Sequence, residues 1–205
     1  MPDHIIRDLP ALEALYGTVN DVSALKEITY LHPHYAAFIK ASPFAVLATA
    51  GEHGLDASPR GDPPGFVEIV DDKTLLIADR RGNNRIDSLR NILANPRVAL
   101  LFMVPGIGET LRVNGTADIS VDPALLERFT LVGKAPRTVL VIHVASVFFQ
   151  CSRALIRSEI WNPERHLPRS ALPSTGEILA AVTDDRIDAE TYDRELPPRL
   201  KATLY

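Results

Sequence analysis

Between residues 44 and 149 the chain is built from short apolar runs, each cut off by glycine, proline or paired aspartates, and that rhythm disfavours long helices alternating with buried parallel strands. Residues 44–50 form the first run, stopped by Gly51. After Glu52, His53 and Gly54, residues 55–58 read as its hairpin partner. Residues 66–70 and 74–78 flank the Asp71-Asp72 turn as two further strands. Residues 98–104 and 110–119 read as a long antiparallel pair joined by Pro105-Gly-Ile-Gly, and 138–149, dense in β-branched residues, as a third long strand. One mid-chain helix is predicted, with Asn83 or Asn84 as its cap and Ile86, Leu89, Ile92 and Leu93 on one face, ending before Pro96. Asp122 and Pro123 read as the N-cap and first residue of a short helix through Val132. Several short strands and few helices point to a small β-barrel rather than βαβ units.

The flanks differ in texture. Leu9, Leu12, Leu15 and Tyr16 recur at helical spacing, and Asp21 is placed to cap a second run through Ile39 that His32-Pro33 interrupts. Past residue 152 the breaks at Leu167-Pro, Leu172-Pro and Leu196-Pro-Pro predict a loosely structured extension with one helix near 176–182. The expected organisation is one domain over 1–205, with a helical extension at 1–42, a barrel core at 43–152 and a C-terminal extension at 153–205. At 205 residues and 46% hydrophobic, such a chain can bury a core without staples. Its only thiol, Cys151, excludes an intrachain disulfide and a multi-cysteine zinc site. The N-terminus lacks the apolar stretch of a secretory signal, and no run approaches the roughly 20 residues of a membrane helix, so a cytoplasmic protein without membrane attachment is expected.

A net charge of −4 gives no general attraction for nucleic acid or anionic lipid, so a local basic cluster points to a small anionic ligand. The strongest one is Asp79-Arg-Arg-Gly-Asn-Asn-Arg-Ile-Asp-Ser, where Arg80, Arg81 and Arg85 sit just before a helix whose first amides are unpaired. Guanidinium forks and helix N-terminal amides both match phosphate oxygens. The same residues also suit a solvated turn whose arginines pair with Asp79 and Asp87. A second cluster, Ser58-Pro-Arg-Gly-Asp, either brings Arg60 to the same anion from the opposite side or forms a surface loop stiffened by Pro59, Pro63 and Pro64. His32 and His34 lack the company of other ligands, and no metal site is expected. His143, within an apolar run, reads as a packed core or interface residue, and no carboxylate pair or nucleophile triad is singled out by spacing.

Taken in order, Ser58-Pro-Arg-Gly-Asp-Pro-Pro-Gly-Phe, Asp79-Arg-Arg-Gly-Asn-Asn-Arg-Ile-Asp-Ser-Leu-Arg-Asn-Ile, Asn95-Pro-Arg-Val and Glu109-Thr-Leu-Arg-Val-Asn-Gly resemble the flavin mononucleotide (FMN)-binding proteins related to pyridoxamine 5'-phosphate oxidase. The resemblance covers about residues 40–155 and extends more weakly into 157–163. It implies a mainly β protein with flanking helices, a six-stranded antiparallel split β-barrel that works as a homodimer with FMN at the subunit interface. By that resemblance Ser58, Arg60, Arg80, Arg81, Asn83, Asn84, Arg85 and Ser88 bind the cofactor around its phosphate. Thr110 and Arg112 approach the ring from the partner subunit, and Trp161 stands where an aromatic residue lies near the flavin. The implied activity is an FMN-dependent oxidoreductase acting on a small electron donor and acceptor. The oxidase itself holds its substrate with a C-terminal arginine and histidine, and residues 192–205 contain no histidine, which argues against pyridoxamine phosphate as substrate. Alternatives are a non-catalytic protein that stores FMN or senses redox state, and a haem-binding split barrel. Nucleic-acid binding is disfavoured by the charge and the lack of interleaved aromatics.

Overall fold

The computed structural model describes residues 4–52 and 54–205; His53, in the predicted hairpin turn, and the first three residues lie outside the described residues. Three short helices lead into the sheet: α1 (Leu9–Tyr16), α2 (Asp21–Leu25) and α3 (Pro33–Ala41). Asn20, one residue before the expected Asp21, caps α2 by accepting from the Val22 amide at 2.9 Å. His32 does interrupt the run, and it caps α3: its Nδ1 accepts from the His34 amide at 3.2 Å, which gives this histidine pair a structural use.

Seven strands follow, β1 (Phe44–Gly51), β2 (Gly54–Gly61), β3 (Val67–Ile69), β4 (Thr74–Asp79), β5 (Arg97–Met103), β6 (Thr110–Ser120) and β7 (Thr138–Gln150), all paired antiparallel in the order β2-β1-β5-β6-β7-β4-β3. The count corrects the six strands implied by resemblance, the seventh being short: β3 has three residues and pairs with β4 alone. The sheet curls into a half-barrel without closing, because β2 and β3 end it as unpaired edges. At the gap, side chains replace the backbone ladder. Arg60 at the end of β2 meets Asp79 at the end of β4 at 3.9 Å, and Arg80 donates to Asp62 at 2.8 Å.

β2 runs three residues further than its apolar pattern, through Pro59, Arg60 and Gly61. Proline is tolerated here because β2 is an edge strand, where one missing donor leaves the inner ladders intact. On β5 every second residue (Val98, Leu100, Phe102) is buried, packing with Ala45 and Leu47 of β1, Leu111 and Val113 of β6 and Ile142 of β7. β4 is buried on both faces, with Leu75 and Ile77 in the main core and Leu76 and Ala78 in a second cluster with Phe129 and Val139. That second face is covered next to helix α5 (Pro123–Arg128), which starts on Asp122 as expected but stops before Val132. Gly115 sits at an irregularity between β6 and β7; a Cβ there would lie 2.0 Å from the His143 carbonyl oxygen, so only glycine permits the approach. His143 itself is exposed and hydrogen-bonded to Asp118 at 2.9 Å, not packed in the core, since its position on β7 points to the solvated face.

The mid-chain helix α4 (Asp87–Ala94) starts later than predicted. Its N-cap is Ile86, in the left-handed region at φ 52°, with no side-chain cap bond. Asn83 instead accepts from the Arg85 amide at 3.1 Å, which spends its oxygen on the turn before the helix. The buried face is more polar than the leucine pattern suggested: Ser88, Asn91 and Ile92 face inward and Leu93 outward. The C-terminal extension is also more ordered than expected, with α6 (Arg153–Ser158), α7 (Thr175–Val182) and the 15-residue α8 (Ala189–Thr203). α8 carries Pro197 and Pro198 in its interior, which sequence reading takes as a break. Its N-terminal half is pinned before the prolines occur: Asp188 caps it, and Asp193 accepts from the Gly176 amide at 2.7 Å. None of α1, α2, α6 or α8 has a buried residue. The chain exposes 13941 Å² in all, where a compact monomer of 22.5 kDa exposes roughly 9,500 Å². Among the described residues no helix is long and apolar enough to cross a membrane.

Candidate functional site

Alternation along β2 sets Asp56, Ser58 and Arg60 on one face, aimed toward the gap between the sheet edges. There they line a cleft of about 760 Å³ with the end of β4, the 80–86 loop, the first turns of α4, residues 134–138 and Tyr205. That volume lies in the range of small-molecule and cofactor sites. Six cations (Arg60, Arg80, Arg81, Arg85, Lys134, Arg137) and three carboxylates (Asp56, Asp79, Asp87) line it, so a protein of net negative charge concentrates positive charge here.

The cations are not equivalent. Arg60 is the innermost: Nη2 donates to the buried Ser88 Oγ at 3.2 Å and Nη1 to the Pro59 carbonyl at 3.0 Å, while Nε is buried with no hydrogen-bond partner among the described residues. Ser88 Oγ in turn donates to Asp56 at 2.5 Å. Arg80 is committed to the fold, donating to Asp62 at 2.8 Å and to the Phe129 carbonyl at 2.6 Å. Arg85 lies at the rim, 76% exposed and paired with Asp87 at 2.9 Å. Arg137 is held by the Asn84 side chain at 3.0 Å. Burial raises the pKa of Asp79, and the cations Arg60 and Arg137, which pull it down, do not cancel that effect. The 3.9 Å separation explains why: Arg60 is too far from Asp79 for a full charge-assisted hydrogen bond.

Backbone geometry adds to the cleft. Asn84 and Ile86 both have positive φ, 62° and 52°, which is costly for a β-branched residue such as Ile86. This turn delivers the chain into α4 without a side-chain cap, so the opening amides of the helix are left to other acceptors at the cleft wall. The orphaned Arg60 Nε and these amides together fit a phosphate group, while the Ser88 hydroxyl, whose hydrogen goes to Asp56, holds the Arg60 guanidinium in place.

Of the residues predicted for cofactor binding, Ser58, Arg60, Arg80, Arg81, Asn83, Asn84, Arg85 and Ser88 all line this one cleft. Thr110, Arg112 and Trp161 do not. Thr110 is buried with its hydroxyl 3.3 Å from Gln150, Arg112 lies over the Phe148 ring at 4.4 Å, and Trp161 donates to the Ile107 carbonyl at 2.9 Å. They gather at the start of β6. The ten residue steps along β7 from Thr138, in the cleft, to Phe148, under Arg112, span roughly 33 Å at about 3.3 Å each. Arg112 Nε, like that of Arg60, is buried without a partner among the described residues, and Lys26 comes within 5.9 Å of the same Phe148 ring.

Sequence reasoning missed Asp56, Lys134, Arg137 and Tyr205, and named Asp79 only as a partner for the loop arginines. Asp56 was within reach, since it shares the two-residue period of Ser58 and Arg60. Tyr205 gives no such signal. It reaches the cleft from the far end of the chain, where Lys134 Nζ donates to its carbonyl at 2.6 Å and the Arg80 guanidinium lies 6.0 Å from its ring. Burial, and after it the neighbouring Asp62 carboxylate, raises the pKa of its phenol.

The sequence pattern of pyridoxamine 5'-phosphate oxidase matches residues 31–151. No curated protein matches the chain. Among solved structures, HupZ from Group A Streptococcus is 25% identical, with 57% of this chain and 90% of that one covered at a TM-score of 0.46. A protein from Clostridium acetobutylicum described as related to general stress protein 26, of the pyridoxinephosphate oxidase family, is 16% identical over 58% of this chain and 86% of that one, with a TM-score of 0.45. An FMN-binding protein from Syntrophomonas wolfei is 11% identical, covering 68% and 95%, with a TM-score of 0.42.

Proposed function

The chain belongs to the pyridoxamine 5'-phosphate oxidase family, and from that premise we propose that it is a cytoplasmic FMN-dependent oxidoreductase working as a homodimer. The observation that carries the reading is Arg60: a buried guanidinium with an unsatisfied Nε, set beside Ser88 in a cleft rich in cations. A dianionic phosphate there completes the hydrogen bonding that the chain itself leaves open. Arg85 and Arg81 attract the anion from the rim, and the amides at the start of α4 add neutral donors.

The separation of the two residue groups supports a two-copy site. One copy has its phosphate-binding residues and Arg112 at opposite ends of β7, so a single flavin of ordinary size touches both sets only if a second copy supplies Thr110, Arg112 and Trp161. The surface in excess of a compact monomer, roughly 4,500 Å², is ample for an obligate dimer contact. Bound in such a site, FMN supplies a two-electron hydride acceptor that passes its electrons to oxygen or another acceptor. Arg112 would then supply a cation beside the flavin ring, which would favour negative charge on the reduced form and raise its reduction potential. The absence of histidine from residues 192–205 argues against pyridoxamine phosphate as the electron donor.

The purified protein is expected to carry flavin absorption bands, to release a phosphate-bearing flavin on denaturation and to turn over NADH or NADPH with an electron acceptor. A colourless protein that takes up no added FMN would refute the assignment. One that binds FMN without turnover would reduce it to a flavin-storing or redox-sensing role.

A further inference from the structure

The geometry points to Tyr205 as the residue that fixes the size of the ligand at the phosphate end of the cleft, so that a flavin ending in one phosphate fits and a dinucleotide does not. This rests on the flavin reading above and extends it to a residue outside the matched segment 31–151.

Arg60 lies in β2 and Asp62 just past its end, and Asp79 is the last residue of β4 with Arg80 directly after it. Their side chains form two neighbouring rungs across the gap, Arg60 with Asp79 and Asp62 with Arg80. The first rung is the anion-binding one. The second is saturated: Arg80 is held by Asp62 and by the Phe129 carbonyl, and the Tyr205 ring lies against its guanidinium. Lys134 anchors the same residue by its backbone carbonyl, so Tyr205 is held at its main chain by Lys134 while its ring lies 6.0 Å from the Arg80 guanidinium.

A phosphate gripped by Arg60 therefore has Tyr205 as its neighbour one rung away. In this proposal a terminal phosphate at Arg60 leaves the Tyr205 ring in place, whereas a pyrophosphate continuing into adenosine would have to extend along the Asp62–Arg80 side of the cleft, which Tyr205 lines. Nothing in the barrel core depends on this residue, which belongs to neither apolar cluster.

The test compares binding of FMN and of flavin adenine dinucleotide (FAD) to the full chain by equilibrium dialysis with flavin fluorescence, for the wild type, Tyr205→Ala and Tyr205→Phe. The wild type is expected to prefer FMN. Tyr205→Ala should shrink that preference by at least about tenfold, through gained FAD affinity, while Tyr205→Phe, which keeps the ring, should retain it. An unchanged preference in Tyr205→Ala, or a wild type that binds both flavins equally, overturns the role of Tyr205 and leaves the FMN site standing. Binding of neither flavin by the wild type removes the flavin reading and this inference with it.

Discussion

At the Thr138 end of β7 all the cations but the exposed Arg81 have acceptors within their own chain: Arg80 has Asp62 and the Phe129 carbonyl, Arg85 has Asp87, Arg137 has Asn84 and Lys134 has the Tyr205 carbonyl. At the Phe148 end, Lys26 and Arg112 lie against aromatic rings and, among the described residues, have no carboxylate within ion-pair distance. The first region is organised in advance and leaves open one inward charged donor, Arg60 Nε, with the unpartnered Thr138 hydroxyl in the same cleft. In the second, Arg112 Nε is buried without a partner among the described residues and the cations lie against aromatic faces. The contrast teaches that a count of arginines says little about binding; what matters is which of them the fold has already satisfied.

The sharpest way to break this comparison is to remove the open donor. Arg60→Ala should lower FMN affinity by about 30-fold to a few thousand-fold, the equivalent of ~2 to 5 kcal/mol for a buried charged contact, measured by equilibrium dialysis. An effect no larger than that of a rim arginine would mean that the cleft is not the phosphate site. If the two ends of β7 serve one flavin across two copies, co-refolding Arg60→Ala with Arg112→Ala chains in equal amounts should give roughly a quarter of the sites both tight FMN binding and the wild-type potential, read by redox titration of the flavin retained on dialysis, because half the dimers are mixed and each has one unmutated site. No recovery above either parent would place both residues in one copy's site, or in none.

Smaller effects sharpen the picture. Arg112→Ala alone should lower the potential of bound FMN by about 30 mV, as expected when ~1.4 kcal/mol of electrostatic stabilisation is lost from a two-electron couple. An unchanged potential would detach Arg112 from the ring. Asp79→Asn should tighten FMN binding by about threefold to tenfold, by removing a carboxylate that competes for Arg60. It should also raise the thermal midpoint at neutral pH. Burial lifts the folded-state pKa of Asp79 above its ordinary 3.8, so the folded protein holds the proton more tightly than the unfolded one. Ionisation of Asp79 therefore erodes stability as pH climbs from about 3.8 through the raised value, and the loss persists above it; Asn escapes it, with no advantage well below pH 3.8. Least affected should be Arg85→Ala, within about fivefold in FMN affinity, since an exposed ion pair is worth about 1 kcal/mol or less.

The long strands were legible because short apolar runs dense in β-branched residues, such as Val139 to Val144, are set apart by turn residues, and the expected pairs β5–β6 and β1–β2 formed. Where local chemistry and tertiary context disagree, the reading failed. Pro59 looked like loop but lies in a strand, because the edge forgives a missing donor. Leu196-Pro-Pro looked like a stop but lies inside α8, whose first half is tied to α7. Asn83 and Asn84 looked like helix caps but serve the preceding turn and Arg137. Within the cleft, the basic loop and the β2 cluster were legible from residue types and from resemblance. Asp87 was legible as the partner of Arg85, but the pairing of Arg80 with Asp62 and the place of Tyr205 were not, because contacts between residues 62, 80, 134 and 205 exist only after the sheet has curled.

The edge at β2 also bears on how the protein behaves when crowded. A free strand invites pairing with another chain, and long flat apolar edges seed fibrils. Here the exposed margin contains a proline that cannot donate and is flanked by the charged Asp56 and Arg60, with Pro63 and Pro64 just beyond. Such a margin is a poor template for strand addition. A variant that restores a donor, Pro59→Val, should leave the fold intact yet make concentrated solutions more prone to form thioflavin-positive aggregates.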